Sequence, residues 1–163
     1  MSELEFLQLI SLKMFYSVIC GSAVGIERKI NESSAGFKTQ ILVCVGSMLF
    51  TVIPFAVLQK MDGESMRVVA QIVSGVGFLG AGAILHSNTR HVTGLTTAAW
   101  IWFTAAIGVM IGVGHGPVAV FTTVTLIAVI TLARKSCGGF CTKSHLSCSM
   151  RNGSRIPKSF SRS

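Results

Sequence analysis

Charge is scarce in this chain. Asp, Glu, Lys and Arg make up 12% of its 163 residues, about half of the ~25% usual in a soluble domain. Half of the residues are hydrophobic, and a water-soluble globule this small lacks the polar surface to cover so much apolar side chain. Acidic residues are scarcer still, six against fourteen basic ones, and none lies deep in an apolar run. A hard divalent cation favours carboxylate oxygens, so transport through a buried carboxylate site is disfavoured. Backbone carbonyls near Gly75 to Gly82 are the remaining candidates for ion contact.

Other absences narrow the function. No GxxxxGK[ST] loop is present to cradle nucleotide phosphates, and neither a nucleophile elbow nor an HExxH helix occurs. His86, His91 and His115 have no carboxylate nearby in sequence, so no catalytic role is assigned to them. The chain is read as a non-enzyme that needs no cofactor. Glu3 and Glu5 precede Lys13, the first basic residue, so the opening lacks the positive n-region of a signal peptide and its apolar block is expected to stay in the mature protein. The five cysteines form no secreted disulfide framework. Cys137, Cys141, His145 and Cys148 are zinc-capable residue types, but the paired CxxC of a zinc knuckle is missing, so no metal site is assigned.

What the chain does contain is five apolar blocks of bilayer-spanning size. They run from Leu4 or Lys13 to Ile26, Ile41 to Leu58, Val68 to Leu85, Leu95 to Gly114 and Pro117 to Ala133. None alternates like a barrel strand, so the predicted fold is all-α: a polytopic transmembrane bundle over residues 1–135. Residues 136–163 hold eight serines and few large apolar side chains, a composition that predicts a disordered basic cytoplasmic tail.

Five spans put the Glu27 to Gln40 loop, the His86 to Gly94 loop and the tail on one side, with eleven cations against two or three on the other. The positive-inside rule then places the N-terminus outside and the C-terminus in the cytoplasm. The basic tail sits beside a membrane, so anionic headgroups rather than nucleic acid are its expected partner. Lys13, the one cation within a span, is expected to snorkel outward to the headgroups.

Small residues mark the helix faces. Ser17, Gly21 and Gly25 form a row ending at the Glu27 and Arg28 pair, Ala70, Ser74, Gly77 and Ala81 form another, and Thr104, Gly108 and Gly112 a third. Such rows allow close helix approach. Gly75, Gly77, Gly80 and Gly82 admit two readings: tight packing, or a broken helix lining a cavity that contains Gln71. Lys38 and Thr39 are expected beside Glu27 and Arg28, positioning the second span.

Three segments carry a resemblance: GSAVGIERK at Gly21 to Lys29, AGFKTQILVCVGS at Ala35 to Ser47, and RVVAQIVSGVGFLGAGAIL at Arg67 to Leu85. With VTGLTTAAWIWFTAAIGVMIGVG from Val92 to Gly114, the sequence resembles the MgtC/SapB family over roughly residues 7 to 135. The resemblance implies a multi-pass bacterial inner-membrane protein linked to magnesium homeostasis, growth at low magnesium and survival inside host cells (virulence). Small-residue helix faces without catalytic chemistry point to a regulator that binds another integral membrane protein or a second copy of itself, with transport of Mg²⁺ or a small solute beside Gln71 and the glycines of the third span as the competing class. The motif residues the resemblance marks are Gly21, Gly25, Glu27, Arg28, Lys38, Thr39, Arg67, Gln71, Ser74, Gly75, Gly77, Gly80, Gly82, Gly94, Thr96 and Thr97. Lys38 stands where the family more often has Arg, which keeps the charge but loses a bidentate fork. Many members continue into a folded cytoplasmic domain that residues 136–163 are not expected to form.

Overall fold

In a computed structural model, residues 3–31, 33, 35–58, 63–85 and 94–140 are described, and they form five helices. These are α1 (Glu3–Ile30), α2 (Phe37–Leu58), α3 (Gly63–Leu85), α4 (Leu95–Val113) and α5 (Gly116–Phe140). Each is long and apolar enough to cross a bilayer. At 1.5 Å per residue the 28-residue α1 is about 42 Å long, more than a ~30 Å hydrocarbon core requires. Glu3 and Glu5 in its first turn and Arg28 and Lys29 in its last complement the helix dipole.

Four of the five helices start earlier or end later than the hydropathy blocks, and α4 stops one residue short of its own. α2 begins at Phe37 rather than Ile41, and α5 continues past Ala133 to Phe140, so the first residues of the expected tail are helical. Polar residues at a helix end lower mean hydropathy without breaking the backbone ladder. Residues 141–163 lie outside the described residues, and with them Cys141, His145 and Cys148. α3 is unbroken through its glycines, which removes the broken-helix reading. Tight packing does not describe it either, because a Cβ at Gly75, Gly77 or Gly82 would meet no atom within 4 Å, and only Gly80 touches a neighbour, Ala98.

The small residues of α1 and α4 are spent inside the bundle. A Cβ on Gly21 would lie 2.9 Å from the Ile41 Cα, and one on Gly25 would lie 2.8 Å from the Phe37 Cα. On the opposite side of α2, a Cβ on Gly108 would fall on the Cys44 carbonyl oxygen, and one on Gly112 would lie 2.5 Å from the Thr51 Cβ. α2 is thus clasped by α1 and α4 at backbone contact, the arrangement that small-residue rows permit. Cys20, Cys44, Met48, Val52, Ile107, Ile111 and Ala119 fill the core between them. A second cluster, Ala35, Val76, Ile101 and Ala105, joins α3 to α4.

The compact unit ends at Ile127, and residues 128–163 form a separate one. Within the first unit α5 packs through Ala119 and Thr123, both buried. The α4 to α5 turn is only two residues long. Gly114 adopts φ 115°, a left-handed conformation that favours glycine. It lets the Gly114 and His115 amides donate back to the Ile111 and Met110 carbonyls, closing the helix end as in a Schellman motif.

A buried polar cluster at the end of the bundle

At the end of the bundle where α1 finishes and α2 begins, polar side chains are enclosed. Glu27 and Arg28 are 8% and 5% exposed, and their carboxylate and guanidinium lie 3.7 Å apart. Asn31 Nδ2 donates to the Glu27 carbonyl oxygen at 2.6 Å and to Glu27 Oε1 at 3.0 Å. The Arg28 guanidinium carbon sits 5.7 Å from the Trp100 ring centroid, within range of a cation–π contact. Phe103 meets the same Trp100 edge-on at 5.8 Å. Trp100 therefore links the charged end of α1 to α4.

Hydroxyl contacts extend the link. Ser33 and Thr97 hydroxyls are 2.9 Å apart, tying the α1 to α2 connection to the first turn of α4. Gln40 is fully buried, and its Oε1 accepts from Thr104 Oγ1 at 2.7 Å. Thr104 also donates to the Trp100 carbonyl oxygen at 2.8 Å, so its single hydroxyl proton is divided between two acceptors. The Gln40 Nε2 finds no partner among the described residues, a buried amide donor of the kind that costs ~1–3 kcal/mol when left unpaired.

The expected neighbours of Glu27 and Arg28 were Lys38 and Thr39, and both are instead exposed. The reason is helical phase. Phe37 and Ile41 are the α2 positions pressed on Gly25 and Gly21, and with Cys44 they mark the inward face at three- and four-residue spacing. Gln40 falls on that face; Lys38 and Thr39 fall off it. Gln40, Trp100 and Thr104 were missed in the sequence. A lone amide at the i−4 position of a buried cysteine was the available signal for Gln40, whereas nothing local announces that Arg28 meets an indole 72 positions away.

The other candidate residues divide by environment. Thr97 is buried and Thr96 exposed. Gly94 takes φ 91° at the N-cap of α4, and a Cβ there would lie 2.5 Å from the Ala83 carbonyl oxygen, so glycine is required twice over. Arg67, Gln71 and Ser74 are exposed on α3. His86 and His91 lie outside the described residues.

Lys13 departs from its expected snorkelling. Its Nζ donates to the Gly112 carbonyl oxygen at 2.7 Å, placing a cation on the C-terminal end of α4. That end carries unpaired carbonyls and partial negative charge. The nearer acceptor outcompetes headgroups that the side chain would have to stretch to reach.

The sequence pattern of the MgtC family matches residues 14–137. A protein named Protein MgtC from Brucella abortus is 45% identical over 116 residues, covering 71% of this chain and 48% of the relative. The Putative magnesium transporter YhiD of Escherichia coli K12 is 35% identical over 152 residues, covering 89% and 70%. An uncharacterised protein of Haemophilus influenzae is 37% identical over 128 residues, covering 74% and 54%. The chain thus spans about half the length of several curated relatives it matches. No solved structure matches it. The matched region includes α2, α3 and α4 whole and both glycine contacts of α1, so the interlocked helices and the family pattern coincide, and the chain belongs to the MgtC family as a multi-pass membrane protein.

Proposed function

We propose that this protein is a non-enzymatic regulator in the bacterial inner membrane. It supports growth under magnesium limitation and survival within host cells by binding another integral membrane protein and altering its activity. One observation carries the reading. The small rows of α1 and α4 are consumed within the bundle, while Ala70, Ser74, Gly77 and Ala81 of α3 remain exposed. α3 has 11% of its span buried against 50% for α4, and a small-residue face left open in lipid suits close approach by another helix. Glu27 and Arg28 hold α1 against α4 from inside and leave contact with a partner to α3.

The test uses photo-crosslinking side chains at Ser74 and Ala81 in intact cells grown at low magnesium, followed by identification of the products. Capture of another membrane protein is expected, whereas only lipid and self-contacts would sink the proposal. The second reading is transport of Mg²⁺ or a small solute, favoured by the name of the Escherichia coli relative, a putative magnesium transporter. Close packing of Gly108 and Gly112 on α2 leaves no passage between α2 and α4, so such a path would run beside Gln71 on α3. Reproducible magnesium flux in liposomes, abolished by Gln71→Leu, would replace the regulatory reading.

A further inference from the structure

α2 and α3 diverge enough to leave a groove of about 610 Å³ open on one side. Its volume falls within the ~300–1,000 Å³ of ligand clefts. The α2 wall includes Thr39, Leu42 and Gly46, and the α3 wall Gln71, Gly75 and Leu79, spaced three and four residues apart as one face of each helix requires. Gly46 and Gly75 both face its open space, since a Cβ at either would meet nothing within 4 Å.

Its shape and polarity are those of a single lipid chain with a headgroup at one end. From Thr39 to Phe50, both of which line it, α2 rises about 16 Å, close to half of a ~30 Å hydrocarbon core. The lining is mainly apolar along that length, with Ser47 and Gln71 its polar members beyond the mouth, and the Thr39 end coincides with the first turn of α2. The amides of that turn point out of the helix and attract anions. Gly36, the residue before the helix, has no side chain to cap them. Lys38 stands exposed one residue from the mouth. A positive mouth above a chain-length apolar trough discriminates among lipids by headgroup, because the trough itself offers any acyl chain the same contacts.

We propose that the α2–α3 groove is a binding site for one anionic phospholipid, its acyl chain laid along Gly46 and Gly75 and its phosphate held by Lys38 and the first amides of α2. The site is distinct from the small-residue face assigned to a protein partner, and either assignment stands without the other.

The test is native mass spectrometry of the full chain released from micelles containing phosphatidylglycerol or phosphatidylcholine. One retained phosphatidylglycerol per chain is expected, with phosphatidylcholine retained less. Lys38→Ala should weaken the anionic preference about fivefold, the effect of one cation near an anionic surface. Gly46→Leu with Gly75→Leu should abolish retention while leaving helix content unchanged, since both positions have open space. The proposal is overturned by equal retention of the two lipids, by retention that survives filling of the groove, or by displacement of the lipid with soluble glycerol phosphate. It is equally overturned if the groove-filled variant converts a dimer of this chain to a monomer, which would make a second copy the occupant.

Discussion

Replacing Lys13 by Met separates two accounts of the same side chain. A lysine that snorkels contributes nothing to helix packing, and Lys13→Met would then leave stability unchanged. With Nζ 2.7 Å from the Gly112 carbonyl oxygen, the substitution removes a hydrogen bond to a charged group, worth ~1.5–3 kcal/mol, including whatever a cation gains at a helix C-terminus. Methionine fills nearly the same volume and removes the charge, which regains some desolvation cost because Lys13 is partly buried. The expected net loss is ~2 kcal/mol, or about thirtyfold in the folding equilibrium. The assay is reversible unfolding by denaturing detergent in mixed micelles, with Lys29→Met, exposed at the end of α1, as the control. A Lys13→Met chain as stable as the Lys29→Met chain would refute the contact with α4 and restore the snorkelling account.

Three further outcomes follow from the packing. Gly77→Ala should raise stability by up to ~1 kcal/mol, as expected for alanine over glycine in a helix with open space around it, whereas Gly108→Ala, driven into the Cys44 carbonyl, should cost several times that; the same detergent titration ranks them. Thr104→Val alone strands the buried Gln40 amide and should cost ~1–3 kcal/mol, while Gln40→Leu combined with Thr104→Val should recover most of the loss, and a merely additive double mutant would contradict the pairing. Arg28→Met and Trp100→Leu should show a coupling energy of ~1 kcal/mol in a double-mutant cycle, with a shift in Trp100 fluorescence on Arg28→Met when Trp102 is replaced by Phe.

The number of helices and their class follow from composition, because apolar blocks of this length have few alternatives in a bilayer. Which face of each helix turns inward does not follow. Gly21, Gly25, Gly108 and Gly112 look the same in sequence as Gly75, Gly77 and Gly82, yet the first four meet another helix and the last three meet nothing. A four-residue repeat states that a helix is approachable and is silent on whether anything approaches. The Glu27 and Arg28 pair was legible from its position at a span's edge, but Gln40 was hidden by the uniform hydropathy around it. Lys13 was misread because a local rule about side-chain reach ignores an acceptor 99 residues away.

The two-residue turn at Gly114 and His115 has a consequence for biogenesis. Whichever side of the membrane it faces, moving it across the bilayer during insertion carries no Asp, Glu, Lys or Arg, and its own amides at Gly114 and His115 are already bonded to α4. α4 and α5 can therefore enter the lipid together as one hairpin. The orientation of that pair is then decided at its far ends, by the charged residues that the inserting machinery leaves behind.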